Sequence, residues 1–546
     1  MANANYKPLL YTTTMRNPER LKFMLYILAK FKGQILDDSL ATKIVGETIR
    51  YGLYRPMKKN DAIKRKWSST PKGVFSETLL TDEELAFIIE NNPQKHKEAG
   101  FAWGLPSRFA TIYDLTKELG LAYFTPSKPI VISELGEHLL NSMNVNFNGS
   151  EILYEFTNPE YEQQVFLQAM AKSQRKNPFV RVLNDNIPLI LLLQTIKLLN
   201  ADKNQNGVGI SRKELPLLIF WKDNDSFALY RRIVSLRETY GYNPSDEVII
   251  DICINEIMGG NYKKFDPKSI VADYPDEFIR KMRITGLISL RGAGRFVDIN
   301  KNELGKVDYV INQYANYKHY TDEIEYFNHI ATLDKNLIQI KSKPVNSTDA
   351  ENLLKKWLSQ YAWNAIKREL SILSSGGTSN DSILKFIAAP ARLEFLTALA
   401  IKSKMPDVRV MPNYSCDDEG LPTSTAGGNK GDIECYEQQK GILIEVTMAT
   451  GRQQTMMEVW PIERHLACFQ KEKKAQCVFV APTIFSDSLR QIQFISFDSK
   501  GEKQIRPYAI NEFVEFLETE RQLYVDDSYG FGAENVCVAA ETIVSY

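Results

Sequence analysis

The chain has no run of about twenty apolar residues, no Cys-x-x-Cys pair and only five histidines, and each shortage removes a class of function. Without a long apolar run no membrane-spanning helix is expected, and the most apolar stretch, Ile187 to Leu193, reads as part of a buried helix. The cysteines Cys253, Cys416, Cys435, Cys468, Cys477 and Cys537 are irregularly spaced, which fits free thiols better than a disulfide framework. The histidines His96, His138, His319, His329 and His465 are too scattered for a zinc site. No apolar signal core opens the chain, so a cytoplasmic protein is expected. A net charge of zero argues mildly against a nonspecific polyanion binder.

What is present begins with size. At 546 residues the chain is too long for one core and suggests two to four domains, and 44% hydrophobic with 25% charged residues is ordinary for a globular protein. The neutral total hides an asymmetry, because the first 75 residues hold 15 Lys and Arg against five acids. That end is basic enough to track a phosphate backbone, with Arg16, Arg20, Lys58, Lys59, Lys64, Arg65 and Lys66 as candidate DNA contacts. Acids such as Glu512, Glu515, Asp526 and Glu534 compensate toward the C-terminus.

A weak internal repeat lies in the N-terminal half. Helical Ile112 to Leu119 meets Gly120, then strand Ala122–Phe124, a Pro126-Ser127 turn, strand Ile130–Ile132 and Glu134-Leu135-Gly136. The second copy runs from helical Phe278–Thr285 through Gly286, strand Ile288–Leu290, the turn Gly292-Ala293-Gly294 and strand Phe296–Ile299 to Glu303-Leu304-Gly305. Helix, glycine cap, hairpin and new helix is the order of a winged helix-turn-helix. Two in tandem would span a short asymmetric DNA site. Arg291 and Arg295 flank the second turn, and Arg108 and Arg283 are further candidate DNA contacts on the helices.

The loop Asp202 to Gly209 marks the join of the two units, and Ser211-Arg212-Lys213-Glu214 then supplies a capping box. Val310 to Leu373 is largely helical in pattern and ends in the hinge-like Ser374 to Asn380. Beyond it an α/β order is expected: helix Asp381 to Lys402, two acidic strands, helix Gln453 to Lys474, strand Cys477–Val480, strand Ile492–Phe497 and a closing helix from Ile510 to Tyr524. The loop Asn413 to Lys430 would sit at the mouth of any site beside Asp432. The expected architecture is multi-domain α+β. Residues 1–205 and 206–309 would be recognition subdomains carrying the winged-helix units, 310–380 a helical linker and hinge, and 381–546 a cleavage domain.

Four carboxylates carry the chemistry. Asp432 follows Gly431 at the start of an alternating strand, and Glu445 closes the strand Gly441 to Thr447, thirteen residues on. This resembles the spacing of a PD-(D/E)xK nuclease, in which two acids hold Mg²⁺ against the scissile phosphate, with Thr447 where that motif has lysine. Glu458 lies one helical turn after Gln454, and Glu394 stands among apolar neighbours in a helix opened by Pro390, where a carboxylate needs a partner or a site. Gln454, Arg464 and His465 are secondary candidates for phosphate contact.

Ala391-Arg392-Leu393-Glu394, Gly431-Asp432-Ile433, Ile444-Glu445-Val446-Thr447 and the Glu-x-x-Pro-x-x-Arg-His helix from Glu458 to His465 resemble the AlwI-type restriction endonucleases, whose relatives include site-specific nicking enzymes. Tyr11 to Arg20 is similar to the opening segment of that family. Thr447 in the lysine position agrees with this family rather than departing from it. The resemblance implies Mg²⁺-dependent cleavage of double-stranded DNA at a fixed distance from a short asymmetric sequence, and a companion DNA methyltransferase. It assigns Glu394, Asp432, Glu445 and Glu458 to catalysis, with Asp432, Glu445 and Glu458 on the metal. Cutting both strands would need a second copy or a separate subunit, so a nicking enzyme is the alternative within the class, and a DNA-binding regulator with an inactive nuclease fold the alternative outside it.

Overall fold

The computed structural model describes residues 4–525 except 9–17, 69, 71–72, 96–99, 148, 150, 263–264, 344–346, 428–429 and 472. Arg16, most of the segment 11–20, His96, Cys537 and the acidic tail beyond 525 lie outside the described residues. The architecture is mixed α+β.

Both helix-hairpin-helix units are present. The first comprises the helix Arg108–Glu118, strands β1 (Ala122–Tyr123) and β2 (Val131–Ile132), and the helix Glu134–Leu140. The strands pair antiparallel with Ala122 opposite Ile132. A second hairpin follows, β3 (Met143–Phe147) with β4 (Ile152–Phe156). The second unit comprises the helix Asp273–Arg283, β6 (Ile288–Arg291), β7 (Phe296–Ile299) and the helix Leu304–Tyr314, with β5 (Ile210–Ser211) added beside β7. The turn between β6 and β7 runs through three positive-φ residues, Gly292, Ala293 and Gly294, and the two glycines tolerate that backbone without strain.

Four helices, Glu323–Ala331, Lys335–Gln339, Ser347–Leu358 and Trp363–Ser374, bear out the helical pattern expected between 310 and 373. They lead to a five-stranded sheet whose strand order is β14-β13-β12-β11-β8. Here β8 is Arg409–Pro412, β11 Ile433–Glu437, β12 Lys440–Val446, β13 Ala475–Ala481 and β14 Ile505–Ala509. The pair β11–β12 is antiparallel, while β12, β13 and β14 run parallel through intervening helices. Period-two alternation sorts the strand residues to two faces. Ile433, Cys435, Ile442, Ile444, Val478 and Val480 join the large core with the helices Ala389–Lys404 and Ile510–Thr519. Leu443, Cys477 and Phe479 face the other way, against Val459, Ile462 and Leu466 of the helix Val459–Phe469 and Ile492 and Ile495 of the helix Ser486–Asp498. A buried Val, Leu, Ile or Phe on a strand contributes about 1.5–3 kcal/mol, so the register that seats these nine residues is strongly specified.

Several sequence expectations are corrected. Ile492 to Phe497 lies within the helix Ser486–Asp498, because its buried positions Ser488, Ile492 and Ile495 recur at helical spacing while Phe494 and Phe497 face solvent. The strand after β13 is instead Ile505–Ala509. The helix expected from Gln453 to Lys474 is two, Gly451–Met457 and Val459–Phe469, broken at Glu458. That from Asp381 to Lys402 is a single turn at Leu384–Phe386 and then Ala389–Lys404. The last helix ends at Thr519 rather than Tyr524. The loop Asn413 to Lys430 contains a hairpin, β9 (Tyr414–Cys416) and β10 (Pro422–Ala426). At Ser211 half of the capping box forms: Glu214 accepts from the Ser211 backbone at 2.8 Å, whereas the Ser211 hydroxyl has no hydrogen-bond partner among the described residues.

Among the described residues, no helix is long and apolar enough to cross a membrane. Cys253, Cys416, Cys435, Cys468 and Cys477 are free thiols.

Candidate active site

The sheet and the helices beside it bring the four acids within electrostatic reach of one another. Asp432 immediately precedes β11, and its carboxylate Oδ2 accepts from the Val446 N–H at 2.7 Å, tying it to the end of β12. Glu445 stands on the Leu443 face of β12, where the His465 Nδ1 lies 2.9 Å from its Oε1. Gly431 fits between them only because it has no side chain: a Cβ there would meet the Leu443 Cδ1 at 2.3 Å and the Glu445 Oε1 at 2.8 Å. Asn413 fixes the same bend, its backbone N–H donating to the Asp432 carbonyl at 2.8 Å and its side-chain amide to the Gly431 carbonyl at 2.7 Å.

Glu458 occupies the break between two helices, with φ −109° and ψ −47°. Pro461 lacks an N–H, so the chain cannot continue one α-helix through this point. The Thr447 hydroxyl donates to the Glu458 Oε1 at 3.0 Å. Glu394 is buried on the helix Ala389–Lys404 and accepts from the Ala426 N–H at 3.1 Å.

The electrostatics show that these groups share an environment. Burial pushes the Glu394 carboxyl up to about 8, with the Glu445 charge adding to the rise. Asp432 is raised well above the usual carboxylate range by burial and then by Glu394 and Glu445, with Glu458 adding further. Burial raises Glu445 while His465 opposes the shift, and burial pushes Glu458 up to about 7. Glu394 and Glu445 are nearly inaccessible, whereas Asp432 and Glu458 keep part of their surface. The charged groups that act most on Asp432 are thus other carboxylates, which is the imbalance a cation relieves.

No three His, Cys, Asp or Glu side chains among the described residues are drawn together as a preformed metal group. In the contacts above, one oxygen of each acid is engaged by a protein donor. The donor set nonetheless fits a hard divalent cation: oxygen ligands, low solvation and accumulated negative charge.

A family model described as AlwI restriction endonuclease matches residues 117–385 and 335–516. The chain belongs to the AlwI restriction endonuclease family. It is accordingly a site-specific deoxyribonuclease that binds DNA, and restriction endonucleases generally use a divalent metal. A comparison with curated protein sequences finds no match. Among solved structures, the chain is similar to the small subunit of the heterodimeric restriction endonuclease R.BspD6I, at 21% identity over 33% of this chain and 89% of that one, with a TM-score of 0.25. It is also similar to the restriction endonuclease FokI, at 11% identity over 95% of this chain and 96% of that one, with a TM-score of 0.23. FokI bound to DNA gives 10% identity, 96% and 97% coverage and a TM-score of 0.23. At TM-scores of this size the likenesses add nothing to the family match.

Within this AlwI-family chain, the secondary candidates separate. Gln454 is buried and spends its amide on the Ala449 and Thr483 carbonyls and on the Phe485 N–H, so it braces the loop after β13 rather than facing phosphate. Arg464 is exposed. Lys58, Lys64, Arg65 and Arg295 are also exposed, Lys64 beside Asp61. Lys59 lies 5.6 Å from the Trp67 ring. Lys66 is paired with Glu84 at 2.7 Å, Arg108 is bound to Gln94, and burial lowers the Arg20 guanidinium. The placement of Arg283 and Arg291 contradicts the expectation that they meet DNA. Arg283 is buried against Asp417 at 2.9 Å, and Arg291 is held by Asp298, Asp418 and Glu419. Their charge is already satisfied within the protein.

Sequence reasoning also missed neighbours from the N-terminal half. Gln453 hydrogen-bonds the backbone of Tyr154 on β4, Arg452 pairs with Glu151 at 2.7 Å, and Glu155 acts on the Glu458 carboxyl. These pairs lie about 300 residues apart in sequence, and no local pattern announces them.

Proposed function

We propose that this restriction enzyme is of type IIS, recognising a short asymmetric double-stranded sequence through its N-terminal part and cutting at a fixed distance with its C-terminal part. The supporting observation is the convergence of Glu394, Asp432, Glu445 and Glu458 around one end of a mixed sheet. The division follows the chain: recognition units in 1–205 and 206–309 with winged-helix order, a helical linker over 310–380, and cleavage in 381–546. The basic N-terminal residues, with exposed Lys58, Lys64, Arg65 and Arg295, would contact the backbone.

Asp432, Glu445 and Glu458 would hold Mg²⁺. When bound there, the ion neutralises charge gathering on the scissile phosphate and acidifies the attacking water. His465 orients Glu445, and Thr447 orients Glu458 as ligand or water-positioning base. Glu394 supports the group from its helix. With Thr447 in the lysine position, the carboxylates rather than an ammonium would carry the catalysis.

One such carboxylate cluster is found among the described residues, so each copy would cut one strand, and double-strand cleavage would need a second copy or a separate subunit. That supports strand-specific nicking as the second reading. Supercoiled plasmid incubated with Mg²⁺ separates the two: linear product with staggered ends at one offset supports the first, open circles alone the second. Sequencing the ends gives site and offset, and intact plasmid under all metal conditions would contradict both.

A further inference from the structure

Three consecutive acids, Asp417, Asp418 and Glu419, form the turn between β9 and β10, and arginines of the second helix-hairpin unit hold all three. Arg283 reaches Asp417 at 2.9 Å, with side-chain exposures of 3% and 0%, and also donates to the Pro422 carbonyl at 2.6 Å. Arg291, on β6, reaches Asp418 at 2.7 Å and bonds Glu419 as well. Ser289 donates to Asp418, and the Asp418 N–H donates to the Asn300 side chain at 3.1 Å. A buried pair of this kind must stay made, because parting it strands a charge away from water. Lys356 and Trp357 of the helix Ser347–Leu358 also hold Glu419, the indole N–H donating to the Glu419 carbonyl at 2.8 Å, but the buried charges of the turn are matched by β6 and by the helix before it.

The other end of the hairpin is at the site. Ala426, the last residue of β10, donates its N–H to Glu394 at 3.1 Å. Between the ends the ladder is short and irregular, with register shifts on either side of Ser424. Two short strands have little stability of their own, so the hairpin lies where its contacts put it: the charged anchors at the turn, Tyr414 against Phe395 of the helix Ala389–Lys404, and the Ala426 N–H at Glu394.

We propose that the β9–β10 hairpin is a coupling arm in which Asp417 and Asp418, gripped by Arg283 and Arg291, are positioning residues that place the Glu394 carboxylate through the Ala426 N–H. A displacement of the second unit on meeting DNA is carried along the arm to the site. This rests on the reading of Glu394 as a member of the active site.

The test uses the full chain and plasmid DNA that the wild-type protein cuts. Asp418→Asn keeps the side-chain shape and removes the charge, while Ala426→Pro removes the N–H and touches no arginine. Each should slow single-turnover cleavage about 10–100-fold and raise the Mg²⁺ concentration at half-maximal rate, with DNA affinity within about threefold of wild type. If Asp418→Asn does not fold, Ser289→Ala, which removes one bond to Asp418, should show a smaller shift of the same kind. Wild-type rate and Mg²⁺ requirement in both principal variants would overturn the arm, as would a rate loss matched by lost DNA affinity. Glu394→Gln run in parallel separates the two ideas: an inactive Glu394→Gln beside unaffected arm variants sinks the arm alone, whereas an active Glu394→Gln sinks the reading of Glu394 and the arm with it.

Discussion

Thr447 donates its hydroxyl to Glu458, the residue at the break between two helices, at 3.0 Å, from the position where the general nuclease motif has lysine. The Thr447 oxygen in turn accepts from the Ala449 N–H at 3.0 Å, so its orientation is fixed from both sides. A group held this way acts through its neighbour. Thr447→Val keeps the shape and removes the donor, and should lower single-turnover cleavage about 10–100-fold. Thr447→Ser should recover most of the rate, and equal rates for the two variants would show that the hydroxyl does nothing.

His465 should matter through the metal requirement. Its ring lies 2.9 Å from Glu445, so His465→Ala frees that carboxylate to turn. Titration with Mg²⁺ should show a higher concentration at half-maximal rate and partial recovery at saturation. An unchanged titration curve would remove His465 from the site.

Gly431 is a steric requirement. With Leu443 and Glu445 within 3 Å of any added Cβ, Gly431→Ala should destabilise the protein by about 1–3 kcal/mol and displace Glu445. Denaturant melts should show the loss, with cleavage falling further than the folded fraction. A variant as stable and active as wild type would mean the bend opens freely.

Acid stability should depend on His329. Burial lowers this imidazole from 6.5 to about 4, and Lys172 and Lys318 add to the shift. Its folded pKa is depressed, so the unfolded chain takes up a proton that the folded chain refuses. The contribution is intact above pH 6.5 and is lost as pH falls toward 4. His329→Gln should flatten the dependence of Tm on pH across that window, and an unchanged slope would assign the acid sensitivity elsewhere.

The sequence made some of this legible and not the rest, for physical reasons. Asp432 and Glu445 could be read because they lie at the start and near the end of strands whose alternation shows which side chains share a face, whereas β13 is legible as a continuous apolar run, buried at every position. Glu458 could be associated with them by spacing, but the break that aims it depends on Pro461, whose missing N–H was passed over inside an otherwise helical pattern. Phe494 and Phe497 misled because exposed aromatics imitate a strand's apolar face. Arg283 and Arg291 misled for a different reason: Asp417, Asp418 and Glu419, which hold them, lie more than 125 residues away, and an arginine beside a glycine turn looks the same whether it awaits phosphate or already holds aspartate. Long-range pairing of charges has no local signature.

The central claim is that the carboxylates gathered around Asp432 carry out phosphodiester cleavage and do not serve recognition. Cleavage and site-specific DNA binding measured side by side on Asp432→Ala and Glu445→Ala test it most directly. The account predicts no detectable cleavage at any Mg²⁺ concentration, with binding of the cognate DNA as tight as in the wild type. Cleavage persisting in either variant would contradict it.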